Sequence, residues 1–330
     1  MTKESKRRAA RKGGPSPIFI WLRRSLARTI AVVAAVVVAV FFLIRLVPGD
    51  AAKMILGEYA TDSDIQAMRT RLGLDFPPRD QFLRFLLQVL TSGDTGKSLV
   101  YGVSARELIF RRAPLTLLLV GLAAVLAIVA ALFLALLAAT HKDGPLDHMI
   151  RVLPAISLSM PVFWIGLLLI LVFSVKLRIF PVGGVKEGLG GLLHGLALPA
   201  ITVALSQVPS LVRSLRVQIL EVLDSDFVVT LRAAGLPSRR ILFRHVLRSS
   251  AIPAVMLLGV NLAYLMGGTM VIEQVFGLKG IGTLLFAAIS NRDLPLIQGI
   301  ALYCALAVVL VGLLTDVGAG LLDPRTRAKP

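Results

Sequence analysis

The sequence predicts an all-α membrane protein with six spanning helices and a helical hairpin projecting from one face. Three observations carry this. The 330-residue chain is 56% hydrophobic and 17% charged, against about 25% charged in an average soluble domain. The charges are excluded from six runs: 29–44, 113–140, 152–175, 188–212, 249–272 and 294–315. A spanning helix needs about 20 such residues. Five runs meet that length, and in the first the stems of Arg28 and Arg45 extend the apolar stretch by snorkelling. Finally, the arginine-rich gap 213–248 has helical periodicity interrupted by Gly235-Leu236-Pro237.

Residues 1–25 form a basic tail, and the composition of 1–17, with Gly13, Gly14, Pro15 and Pro17, favours disorder. The first span, 26–47, stops at Pro48-Gly49-Asp50 and is read as uncleaved, since no small-residue cleavage site accompanies it. Residues 48–112 form an external segment with short amphipathic helices. One is expected over 62–72, capped by Asp62 or Ser63. Another is expected over 80–90, where Phe82, Phe85, Leu86 and Val89 share a face that lies against the membrane or against the spans.

Residues 113–322 form a five-helix core. Its first helix is placed at 114–139, beginning at Pro114, and is followed by the turn His141-Lys142-Asp143-Gly144-Pro145. The next, 150–175, contains Pro154 and Pro161 and is expected to kink. The fourth span is placed at 196–212 with Pro199 and Pro209, the fifth at 249–270 with Pro253 and Gly267-Gly268, and the sixth at 294–321 with Asp316 near its end. Such interruptions are tolerated in spans where neighbours or water satisfy the backbone. They fit kinked helices around a pathway, or ordinary packing bends. Phe163, Trp164, Asn261 and Tyr264 are the candidate pathway residues, with plain helix packing as the other reading of each. A short tail, 323–330, ends the chain.

The net charge of +17 raises nucleic acid as a partner, but its distribution argues for a membrane instead. Nine Lys/Arg lie in the first 28 residues, seven lie in 213–248 and three follow the last span, all on one side of an even helix count. The short opposite loops 176–187 and 273–293 carry three and two. The long segment 46–112 balances nine Lys/Arg with eight Asp/Glu, and long loops weigh little in this rule. Both termini are therefore expected in the cytoplasm of a multi-pass protein of the cell inner membrane.

Several motifs are decoys. Thr91-Ser92-Gly93-Asp94-Thr95-Gly96-Lys97-Ser98 lacks the first glycine of a phosphate-binding loop and follows a helical rather than a strand pattern; Gly93 and Gly96 are expected to shape a turn. Gly277-Leu278-Lys279-Gly280-Ile281-Gly282 suits a tight external loop. The histidines His141, His148, His194 and His245 form no ligand set at metal spacing, and the lone Cys304 rules out an intrachain disulfide. No metal or cofactor is expected on this chain. The spans carry almost no ionisable group, which disfavours an ion-driven carrier.

In the hairpin, Phe227, Leu231 and Ala234 recur at helical spacing and give the first helix an apolar face. Gly235 is placed to close that helix in the left-handed region, and Pro237 to open the next. Arg240, Arg244 and Arg248, four apart, form a basic stripe suited to acidic side chains or lipid headgroups. The result is a short cytoplasmic elbow. A membrane-anchored DNA-binding regulator is the rival from another class, but a Gly-Leu-Pro break fits an elbow better than a recognition helix.

Asp226 to Pro253 resembles the cytoplasmic coupling segment, the "EAA" loop, of ABC-type importer permeases. The chain as a whole resembles the first permease of dipeptide, oligopeptide and nickel importers. Leu43–Asp50, Arg71–Asp75, Gly93–Ser98, Ser157–Leu169, Val271–Gly282, Arg292–Gly299 and Leu321–Arg325 extend the resemblance over nearly the whole chain. The basic lead is longer than in the family. Thr95 and Ala234 stand where leucine and lysine are more usual. The resemblance implies a type I importer-like permease that forms half of a translocation pathway with a second homologous permease. Two ATPase subunits, which carry ATP and Mg, would dock beneath. An extracytoplasmic substrate-binding protein would deliver a peptide, with nickel or another small solute as the alternative cargo. It assigns ATPase coupling to Asp226, Thr230, Ala233, Ala234, Gly235, Arg240 and Arg244. The chain itself is not expected to be an enzyme.

Overall fold

The computed structural model describes residues 17–43, 51–57, 59–158 and 160–322. The first sixteen residues, the predicted stop at 46–50 and the tail 323–330 lie outside them. For some residues within helices, including Arg248 and Tyr264, only the backbone is described.

The described residues are mostly helical, with one isolated β-bridge between Lys97 and Ser104. The elements are α1 (Pro17–Leu43), α2 (Ala51–Leu56), α3 (Asp62–Leu72), α4 (Pro78–Ser92), α5 (Ala105–Thr140), α6 (Pro145–Leu158), α7 (Val162–Leu169), α8 (Leu189–Leu223), α9 (Asp226–Ala233), α10 (Ser238–Arg240), α11 (Leu247–Val275), α12 (Ile281–Ser290) and α13 (Leu294–Leu322). Two wider π-helical segments, Ile170–Lys176 and Ile241–Val246, continue α7 and join α10 to α11. Among the described residues, three helices are long and apolar enough to cross a membrane: Ala105–Thr140, Leu189–Leu223 and Leu294–Thr315. Leu26–Phe42 and Val162–Lys176 are shorter apolar helices at expected spans.

The bundle is held by α5 against α8. Ala123, Ala127, Ala131, Ala135 and Ala138 line one face of α5 and are buried. Small side chains let helix backbones approach closely where lipid removes the hydrophobic drive between helices. The large residues of α5 point the other way: Leu117, Val125, Val129 and Phe133 are exposed. Small inside and large outside is the pattern of a helix meeting protein on one face and an apolar medium on the other.

Helix ends differ from the sequence expectation where that expectation stops at a charge. α5 begins at Ala105, capped by Ser104, and runs through Arg111, Arg112 and Pro114. α8 continues through Arg213 and Arg216 to Leu223. The third span does not merely kink. α6 ends at Leu158 and Pro161 caps α7, while Pro154 is accommodated within α6. The cap of α3 is Thr61, in a reciprocal capping box with Asp64, rather than Asp62 or Ser63. An unexpected helix, α12, occupies what the sequence suggested was only a loop.

The amphipathic α4 rests on the spans. Phe82, Phe85, Leu86 and Val89 pack with Val37, Val40 and Phe41 of α1 and Leu302 of α13. The Phe41 ring meets Phe82 edge-on at 5.0 Å. Gly93 and Gly96 have φ of 66° and 131° and form the expected turn. That turn is tied down by Tyr303, which donates to the Gly93 carbonyl at 2.6 Å, and by Thr95, which donates to the Pro295 carbonyl at 2.7 Å. The buried Asp293 accepts from the Ser98 hydroxyl and from the Leu99 amide at 3.1 Å.

Candidate functional site

The candidate site is the hairpin following α8. Asp224 caps α8 and Ser225, in extended conformation, starts α9. Eight residues later α9 closes in a Schellman turn. The Leu236 amide donates to the Leu231 carbonyl at 3.2 Å, and the Gly235 amide to the Arg232 carbonyl at 2.9 Å. Gly235 has φ 77°, as its position between two helical segments requires. Leu231 and Leu236, the pair expected to touch in this turn, both pack on the same apolar core.

That core anchors the hairpin. Val228, Ile241 and Val246 are buried among Ala131, Ala135 and Ala138 of α5, Ile150 of α6, and Leu211, Leu215 and Ile219 of α8. Each such aliphatic residue, fully buried, is worth about 1.5–3 kcal/mol. The apolar face of α9 is thus Val228 and Leu231. Phe227 and Ala234, which the spacing grouped with Leu231, are turned to the surface. Phe227 and Phe243 are 44% and 63% exposed, apolar islands on a charged surface.

The predicted coupling residues fall on this outer face. Asp226, Thr230, Ala233, Ala234, Gly235, Arg240 and Arg244 are all exposed, with Arg232 and Arg239 beside them. The Thr230 hydroxyl donates to the Asp226 carbonyl of its own helix at 3.0 Å. The second limb is longer than a short elbow: Ser238–Arg240, Ile241–Val246 and Leu247–Val275 form one uninterrupted helical run. The outer face therefore sits at the head of the helix that holds the expected fifth span, 249–270.

The pathway candidates lie on α7 and α11, two helices that pack against each other. Phe163 and Trp164 are exposed neighbours on α7. Asn261 is buried and donates to the Leu257 carbonyl at 2.9 Å, so it serves its own helix. The Tyr264 side chain lies outside the described residues. Among the described residues no group of three or more His, Cys, Asp or Glu could hold a metal.

Sequence reasoning missed three buried carboxylates. Asp147, in α6, is fully buried and receives a bidentate Arg216, Nε to Oδ1 and Nη2 to Oδ2, both at 2.6 Å. Glu273, at the end of α11, accepts from Thr116 at 2.5 Å and from the Gly282 amide at 2.6 Å, and so caps α12. Asp293 is the third. The acidic residues beside glycine turns in 143–147 and 273–282 were the available signal.

Residues 127–328 match the model of the binding-protein-dependent transport system inner membrane component family, and residues 18–120 match its N-terminal companion. A probable peptide ABC transporter permease, y4tP, of Sinorhizobium fredii is 35% identical over 93% of this chain and 99% of its own length. The oligopeptide transport system permease AppB of Bacillus subtilis is 32% identical over 92% of this chain and 98% of its own. An inward-facing structure of the MetNI methionine ABC transporter superposes with a TM-score of 0.54 at 15% identity, covering 66% of this chain and 97% of that one.

Proposed function

The chain belongs to the family of binding-protein-dependent transport system inner membrane components, and from that premise we propose that it is one of two permeases of an ATP-driven peptide importer. The single observation that carries the mechanism is the elbow. A one-turn-pair helix, closed by a Schellman turn and anchored by Val228 and Ile241, presents an exposed surface of arginine and phenylalanine at the head of a span. Such a surface suits a groove on an ATPase subunit, one hairpin per subunit. ATP and Mg belong to those subunits. Closure of the ATPase pair pushes on α9, and the continuous helix Ser238–Val275 carries the push into the membrane. An alternation between two states biased by nucleotide then moves substrate. Peptide is the proposed cargo because two relatives matched over 93% and 92% of the chain are named for peptides. A second homologous permease supplies the other half of the pathway, and an extracytoplasmic binding protein delivers the peptide.

The test is reconstitution. The complex of both permeases and the ATPases in proteoliposomes, supplied with binding protein outside, should accumulate labelled peptide with ATP inside. No uptake of any di- or oligopeptide, with a nickel chelate or another solute transported instead, rejects the cargo.

Orientation is tested separately. With Cys304 replaced, single cysteines in 59–104, 178–187 and 277–292 should react with an impermeant thiol reagent in intact cells. Cysteines at Ser225 and Ser238 should react only after lysis. Labelling of the latter two from outside reverses the topology.

A further inference from the structure

We propose that Asp147 and Arg216 are a positioning pair that locks the turn between α5 and α6 to the stem of the coupling hairpin, so that both move as one body when the ATPases close. The inference rests on the coupling role of the hairpin and assigns it two residues outside the hairpin itself.

The geometry is that of a latch rather than a surface contact. Asp147 is 0% exposed and Arg216 14%. Both guanidinium–carboxylate bonds measure 2.6 Å, the parallel arrangement only arginine provides. The same carboxylate also accepts the Asp143 amide at 3.1 Å, which ties it to the turn itself. That turn has little freedom: Asp143 has φ 61°, and the Gly144 amide donates to the His141 carbonyl at 2.9 Å. Arg216 lies on α8 two turns before Asp224, where the hairpin begins. Lys142 approaches Asp224 at 3.4 Å, but both are exposed, and a pair of that kind contributes little. The buried pair is the stiff link.

An apolar contact alone would hold the two elements together while letting them slide. A bidentate ion pair fixes direction as well as distance, because a small rotation breaks one of its two bonds. Packing on the shared core of Ile150, Leu215 and Ile219 supplies adhesion, and the pair supplies register. Force delivered to α9 would thereby reach α5 and α6 as well as α11.

The experiment uses the full transporter complex with spin labels on exposed Met149, in α6, and Glu221, in α8, after replacement of Cys304. In the otherwise unmodified protein the distance between labels should agree within about 2 Å in the nucleotide-free and ATP–vanadate-trapped states. Asp147→Asn should retain the ATPase subunits and basal hydrolysis, acquire a nucleotide-dependent distance, and lose about tenfold in peptide moved per ATP. Arg216→Lys, which keeps the charge but not the fork, should do the same to a lesser degree and serves if Asp147→Asn does not assemble. A separation that changes by about a helical turn in the unmodified protein overturns the proposal whatever the variants do. So does wild-type transport per ATP in an assembled Asp147→Asn complex. A complex from which the ATPases are absent in the unmodified protein overturns the coupling reading instead.

Discussion

Gly235→Val is expected to insert into the membrane, pair with its partner permease and lose at least about tenfold in uptake. The cause is backbone strain alone. A Cβ at Gly235 would meet nothing within 4 Å, so no clash confuses the result. But φ is 77°, where a β-branched residue is a genuine outlier. Holding it there costs about 1–3 kcal/mol. The chain can avoid that cost by opening the Schellman turn, which releases the bonds from Leu236 to Leu231 and from Gly235 to Arg232. α9 then loses its fixed angle to the span. Gly235→Asn separates this account from a general intolerance of side chains, since asparagine visits the left-handed region readily. It should keep most uptake. Asp226→Ala and Arg244→Ala should be milder than Gly235→Val, because exposed charges contribute less than a turn. The measurements are copurification of the ATPases, then uptake and hydrolysis in proteoliposomes. Equal activity of the valine and asparagine variants would remove the turn from the mechanism.

Gly282→Ala should be strongly destabilising. Its Cβ would stand 2.4 Å from the Met270 Cα and 2.6 Å from the Met270 carbonyl oxygen. Backbone atoms of α11 cannot step aside, so α12 must. Overpacking of this kind costs about 1–3 kcal/mol or more. Displacing α12 also withdraws the Gly282 amide from the buried Glu273 carboxylate, for about 1–3 kcal/mol further. Against a total stability of about 5–15 kcal/mol, this should lower the melting temperature of the purified protein markedly and reduce its yield. Gly267→Ala and Gly268→Ala are the controls, on the same α11, with nothing within 4 Å of either new methyl. A Gly282→Ala melting temperature equal to theirs would mean that α12 is not packed as described.

What the sequence disclosed depended on range. The elbow was legible because its causes are local: a glycine after one helical period and a proline before the next. The uncharged runs located the bundle but misjudged its helix ends. Charge marks where a bilayer ends, not where a helix does, and Arg106, Glu107 and Arg111 continue α5 while Arg213 and Arg216 continue α8. The Ser104 cap, not Pro114, starts the former. α12 was overlooked because ten residues are too few to register as a span. The buried carboxylates were illegible for another reason. Asp147 and Arg216 are 69 positions apart, and Ser98 and Asp293 195 apart, and no periodicity joins residues at such distances. The Asn261 amide stands out by its polarity within an apolar run, and its bond to the Leu257 carbonyl is a contact the sequence does not disclose.

The helical run from Ser238 to Val275 has a consequence for how this segment can vary in length. Hairpin and span share one screw axis, so they are locked in phase. A single residue inserted between Pro237 and Leu247 would turn everything after it by about 100°. Met266 would move to the exposed position now held by Gly267, and Leu265 to that of Met266. Alternatively the span would stay and the arginine face would rotate away from whatever it meets. The π-helical segment Ile241–Val246 already holds a wider turn, so it is where a one-residue deletion could be absorbed by tightening to α-helix. Substitutions scattered along this stretch can be tolerated one by one, but beyond that single deletion the number of residues in it cannot drift.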